Sequence, residues 1–273
     1  MTDPTMSRHG RYLRSCGTAF LLATQAALAQ AQGFAAYITP PRFEVQVAPG
    51  QNLRQVVEIQ HVGSQKGLYR VYTNDWSFLP DNSVAFSDAL APDSCRPWVA
   101  VERRELTIEP GARYRYRFEI APPPGTPARE CRFALMIEGL EPARLQGDLN
   151  FPVGGRIGVI VYATVGDAAP RLDIVARRVS TINGKPTAVV DVRNSGNAHG
   201  RLEGFVNGTD ASGARLEMAP ADLPILPGET RSIAIVPLAE EGKPAPEVRF
   251  PLTVKGNLEW GRNRLPLDAS FAP

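Results

Sequence analysis

The chain is poor in lysine, histidine and cysteine, and it has no long apolar runs. Each shortage closes a class of function. Only Lys66, Lys185, Lys243 and Lys255 stand among its 30 basic residues. Three histidines and three cysteines, widely scattered, offer no zinc-ligand spacing. Gly-x-Ser-x-Gly elbows and phosphate-cradling glycine loops are missing too, and no pair of carboxylates is brought together by spacing alone. No apolar stretch reaches the ~20 residues that a membrane-crossing helix needs. Helix-period runs of useful length are also absent. What is plentiful is punctuation: 25 prolines and 24 glycines lie between short apolar segments. That pattern belongs to many short strands and turns. The expectation is an all-β protein without enzyme activity, cofactor, metal or membrane insertion.

The first ~30 residues read as a secretory signal peptide. Arg8, Arg11 and Arg14 form a basic start, and Cys16 to Ala29 is a short, mostly apolar run. Ala27-Leu28-Ala29 and Ala29-Gln30-Ala31 both offer small residues for cleavage, and the second is preferred, giving a leader over 1–31. Its removal takes three arginines and Asp3 from the 30 basic and 28 acidic residues, leaving the two signs equal. A balanced surface supplies no broad field for nucleic acid or anionic lipid. Cys16 leaves with the leader, so Cys95 and Cys131 remain. In an oxidising, exported setting such a pair is expected to bond, with two buried free thiols as the alternative.

Roughly 240 mature residues suit two domains of ordinary size. In the first, over 32–165, strand candidates alternate with turns: Val56-Val57-Glu58-Ile59, Leu68 to Tyr72, Trp98 to Val101, Arg113 to Ile120 and Phe133 to Ile137. Gly166-Asp167-Ala168-Ala169-Pro170 is the expected linker, and 171–273 the second domain. Leu226-Pro227-Gly228-Glu229 before a strand echoes Glu109-Pro110-Gly111-Ala112 before another. The echo points to two immunoglobulin-like sandwiches of related topology.

Between Ile38 and Pro142 the order of landmarks is distinctive. Ile38-Thr39-Pro40-Pro41-Arg42-Phe43-Glu44-Val45 opens the segment, and Asp75-Trp76-Ser77 follows. Leu106-Thr107-Ile108-Glu109-Pro110-Gly111 comes next, and Ala128-Arg129-Glu130-Cys131-Arg132-Phe133-Ala134-Leu135 closes it. This set resembles the N-terminal domain of the periplasmic chaperones of the chaperone–usher pilus pathway. The resemblance implies a periplasmic protein that lends a β-strand to an incomplete fibre subunit and then meets an outer-membrane usher. It implies that Arg42 binds the client's C-terminal carboxylate, a task suited to a planar guanidinium. The family's second anchor, a lysine on the closing strand, falls at Gly158. Arg156, two residues earlier on the same strand face, is the substitute that the sequence offers. The family's donor row falls on Leu149, Phe151 and Val153, which continue the parity of Leu145. Pro152 and Gly154-Gly155 interrupt that segment.

Glu130 matches a carboxylate that ties the two domains together in the family through an arginine just after the strand's Tyr162. Ala163 stands there instead, so Glu130 is left to pair with Arg129 or Arg132, or to face solvent. Trp76 is expected to pack in the core. His61 and His199 are expected in structural or exposed roles. Arg113 to Phe118 sends its arginines to one face and its aromatics to the other. An open apolar edge would also allow a self-capping homodimer. The competing expectation is a structural or interaction module of the bacterial envelope, built from the same sandwiches without strand donation.

Overall fold

A computed structural model describes residues 34–79, 81–140 and 155–273. The expected leader and the donor row Leu149, Phe151 and Val153 lie outside the described residues. The first sandwich contains β1 (Ala36–Thr39), β2 (Arg42–Val47), β3 (Leu53–His61), β4 (Gly67–Phe78) and β5 (Val84–Ser87). It continues through β6 (Val99–Val101), β7 (Glu105–Ile108), β8 (Arg113–Ile120), β9 (Arg129–Gly139) and β10 (Arg156–Val165). One sheet runs β1-β3-β8-β6, and the facing sheet runs β2-β10-β9-β4-β5, with β7 also on β4. The opening phrase of the domain is shared between two strands. Pro40 and Pro41 have no N–H to give a ladder, so pairing stops after Thr39. The chain then crosses from β3 in one sheet to β10 in the other.

Alternation sets the core. On β8, Tyr116, Phe118 and Ile120 are buried while Arg113, Arg115 and Arg117 face solvent. They meet Val57, Ile59, Phe133, Leu135 and Ile137 between the sheets. Burying each large side chain of this kind contributes about 1.5–3 kcal/mol. Cys95 and Cys131 form a disulfide with Cα atoms 5.7 Å apart. β9 departs from alternation: Ala134 and Met136, on its outer face, are as buried as the core residues. The cover comes from the β4–β5 hairpin, whose Phe86 ring folds over that face.

β10 ends at Val165 and the second domain starts with β11 (Leu172–Ile182). It continues through β12 (Lys185–Asn194), β13 (Val206–Thr209), β14 (Arg215–Pro220), β15 (Thr230–Pro237), β16 (Leu252–Trp260) and β17 (Asn263–Phe271). These form one antiparallel sheet, β11-β12-β15-β14-β13-β16-β17. The sheet curls until β11 packs near β17, enclosing a core that includes Val190, Ile233, Leu252, Leu267 and Phe271. Among the described residues no helix is long and apolar enough to cross a membrane.

Candidate functional site

The two sandwiches meet along β2, the start of β9 and the middle of β10 on one side, and the loop after β12 on the other. Asn194 builds that loop. It is fully buried, its Oδ1 accepts the amides of Arg171 and Gly196, and its Nδ2 donates to the carbonyls of Ala198 and Ile225. A side chain so fully satisfied holds the following residues in one conformation. Gly196 is required there, because a Cβ would lie 2.3 Å from the carbonyl oxygen of Ala169. Asn197 then bridges the domains. It donates from Nδ2 to the Ala128 carbonyl at 2.7 Å and accepts the Ala169 amide at 2.9 Å.

The next residues carry charge into the cleft. The backbone amide of His199 donates to Glu130 Oε2 at 2.9 Å, and its Nδ1 is bonded to the same oxygen. The His199 ring stacks on Tyr162 with centroids 3.8 Å apart. Burial pushes the Tyr162 hydroxyl up to about 12, so it remains protonated beside the carboxylates. Glu130 therefore ties the domains through a histidine of the second domain, with the Arg132 Nε 3.8 Å from its other oxygen. Of the partners that the sequence offers Glu130, Arg132 is present at 3.8 Å, whereas His199, expected in a structural or exposed role, makes the closer contact. Glu130 and His199 stand 69 residues apart, and no local pattern links them.

Beside this tie lies a closed ring of alternating charge. Arg42 Nε contacts Glu44 Oε1 at 2.9 Å, and Glu44 Oε1 lies 3.4 Å from Arg201 Nε. Arg201 Nη1 donates to Asp222 Oδ1 at 2.7 Å, and Asp222 Oδ2 is 3.8 Å from Arg42 Nη1. Each domain supplies one arginine and one carboxylate. The ring borders a recess of about 250 Å³ lined by Glu44, His199, Arg201 and Trp260. A second bridge stands apart from it. The hairpin tip after β4 reaches Arg231, whose guanidinium lies 4.1 Å from the Phe78 ring centroid and donates to Asn82 Oδ1 at 3.1 Å. Trp76 packs outside the inter-sheet core, between Phe78, Tyr162 and Arg132.

Arg42 and Arg156 are not brought together. Arg42 stands level with Ile160 on β10, four residues beyond Arg156. At the strand rise that is about 13 Å. Arg156 instead pairs in register with Glu138, and burial pushes the Tyr72 hydroxyl up against the opposing charge of Arg156. It lines an open concavity of about 930 Å³ with Arg70, Arg96 and Arg104.

Gly158, where the resemblance calls for lysine, has a definite reason to be glycine. A Cβ there would lie 2.5 Å from the Phe86 ring and 3.1 Å from Met136 Sδ. Gly158→Ala is expected to destabilise the first domain by about 1–3 kcal/mol through overpacking. Phe86→Ala in the same chain should recover much of that loss, so a urea double-mutant cycle will show strong coupling. A neutral Gly158→Ala would mean that the ring moves aside freely.

No family model matches the chain, and no curated protein matches it in sequence. Among solved structures, the class 5 fimbriae chaperone CfaA aligns with a TM-score of 0.47 at 14% identity, over 87% of this chain and 99% of that one. The E. coli chaperone DraB aligns with a TM-score of 0.45 at 14% identity, over 89% of this chain and 98% of its own. A chain of the CsuC–CsuE chaperone–tip subunit complex from the Csu pili of Acinetobacter baumannii gives 0.44 at 12% identity, over 87% and 98%. These are loose likenesses of overall shape.

Proposed function

We propose that this protein is a non-catalytic chaperone of the bacterial periplasm that caps a pilus or surface-fibre subunit by lending it a strand. The observation that carries the reading is an open edge on β10. β2 pairs in parallel with Ile160–Val165 only, while β9 pairs with the whole strand. Among the described residues, Arg156–Val159 therefore have a neighbour on one side and none on the other. Such an edge is a template for an added strand.

Strand direction supports Arg42 as an anchor. A client strand laid on the open edge parallel to β10 is collinear with β2, and its C-terminus points at the first residue of β2. That residue is Arg42. The client's terminal carboxylate would meet a half-exposed guanidinium. The apolar row Leu149, Phe151 and Val153 immediately precedes this edge and is read as the part that fills the client's groove. Arg156 would then flank the added strand rather than its terminus. An outer-membrane usher receives the loaded chaperone in this reading, and the same edge joins two copies when no client is present.

The test is gentle purification of the tagged protein from its native periplasm, with co-eluting chains identified by mass. A stoichiometric small subunit is expected, and Arg42→Ala should weaken its retention about ten-fold or more, the range for a charged hydrogen bond. A solitary wild-type protein, with candidate subunits expressed but absent from the eluate, would favour an envelope interaction module. Unchanged retention by Arg42→Ala would remove the anchor.

A further inference from the structure

We infer that Arg201, from the second domain, is the second anchor for the client's carboxylate, and that Asp222 holds the position which that carboxylate takes. The inference rests on the strand-capture reading above. No cation on β10 stands near Arg42: Phe86 fills the space over Gly158, and Arg156 is about 13 Å along the strand. The cation nearest to Arg42's own partners comes from across the cleft. Arg201 and Arg42 both contact Glu44, and both contact Asp222.

The two arginines already share a carboxylate. Asp222 offers one oxygen to Arg201 at 2.7 Å and the other to Arg42 at 3.8 Å. Its side chain is 71% exposed, whereas that of Arg201 is only 10% exposed. The buried partner is fixed and the exposed one is exchangeable. The Nε of Arg201 lies 3.4 Å from Glu44 without a hydrogen bond, and Nη1 donates to Asp222, the exposed partner that exchange would replace.

Charge balance decides how a carboxylate enters. The ring holds two cations and two anions, so a third carboxylate added to it would be in surplus. Exchange with Asp222 keeps the balance, and Glu44 leaves the buried Arg201 with a counter-charge throughout. Glu44, with contacts to Arg42, Arg201 and His199, stays as the fixed acid that orients both arginines. Client capture thus draws on both domains. A first-domain fragment alone would lack half of the carboxylate site.

The experiment uses the full-length protein and the subunit that co-purifies with it. The subunit is prepared with its native C-terminus and with a three-residue extension that moves the carboxylate away. Wild type should bind the extended form about ten-fold or more weakly, as for loss of charged hydrogen bonds. Arg201→Gln should weaken the native subunit by a similar factor and leave little further effect of the extension. Arg201→Lys should retain part of the discrimination. Asp222→Asn should widen it, by tightening the native subunit and leaving the extended one unchanged.

An unaltered ratio in both Arg201→Gln and Asp222→Asn overturns the inference while leaving strand capture standing. Equal binding of the two subunit forms by wild type overturns any carboxylate anchor. Failure of wild type to bind either form removes strand capture, and this inference with it. Should Arg201→Gln fold poorly, the Asp222→Asn ratio decides alone.

Discussion

Glu130→Ala should lower stability by about 3–5 kcal/mol and separate the melting of the two sandwiches, because it breaks a buried, charge-assisted pair and orphans its partner. Glu130 is almost wholly buried, and its Oε2 takes both the His199 amide and the His199 ring nitrogen. Removing it leaves two donors of the second domain facing an emptied pocket. The neighbouring amide bond from Glu130 to the Asn197 carbonyl, at 2.9 Å, loses the side chain that holds its loop in place. In the ring, Arg42, Glu44 and Asp222 are more open to water and contribute less, while the buried Arg231 keeps its charge paired with Glu229 of its own domain. Calorimetry will read the effect as an earlier transition that divides into two. An unchanged, single transition would show that the domains are held by surface contact and the linker, not by this pair.

Replacing Cys95 and Cys131 together by serine is the second large effect. The bridge closes 36 residues, which on a chain-entropy argument stabilises the fold by about 3–4 kcal/mol. It pins the 3-10 turn over Arg96–Trp98, which leads into β6, to β9 of the opposite sheet. Serine also puts hydroxyls among Phe118, Phe133 and their neighbours, where both sulfurs are buried. The loss should be confined to the first domain, since no cysteine stands in 171–273. Urea unfolding followed separately by Trp76 and Trp260 fluorescence, each reporter kept as the only tryptophan, distinguishes the two domains. A reductant applied to the wild type should reproduce the first-domain loss. Equal destabilisation of both domains, or none, would contradict this placement of the bridge.

Much of the first sandwich is legible in the sequence, because a half-buried strand writes its face into every second residue. Tyr116, Phe118 and Ile120 could be assigned to the core, with Arg113, Arg115 and Arg117 outside it, from alternation alone. The pairing of Cys95 with Cys131 was equally open to expectation. β9 was harder. Both of its faces are buried, and the ring that lies over Gly158 beside Met136 is that of Phe86, a residue in a strand too short to announce itself. The glycine at 158 looked like a missing lysine until that ring was seen above it.

The cleft was the least legible part, for a physical reason. Local pattern records what a residue's own strand does with its two faces. It holds no record of which loop of another domain arrives at those faces. Arg42 could be singled out by its place in the opening phrase, but Glu44, Arg201 and Asp222 acquire meaning only as a ring, and His199 only as the partner of Glu130. The sequence by itself determined the all-β composition and the alternating faces. Only the tertiary structure decided which charges meet between them, because burial turns scattered side chains into partners and makes an unpartnered one costly.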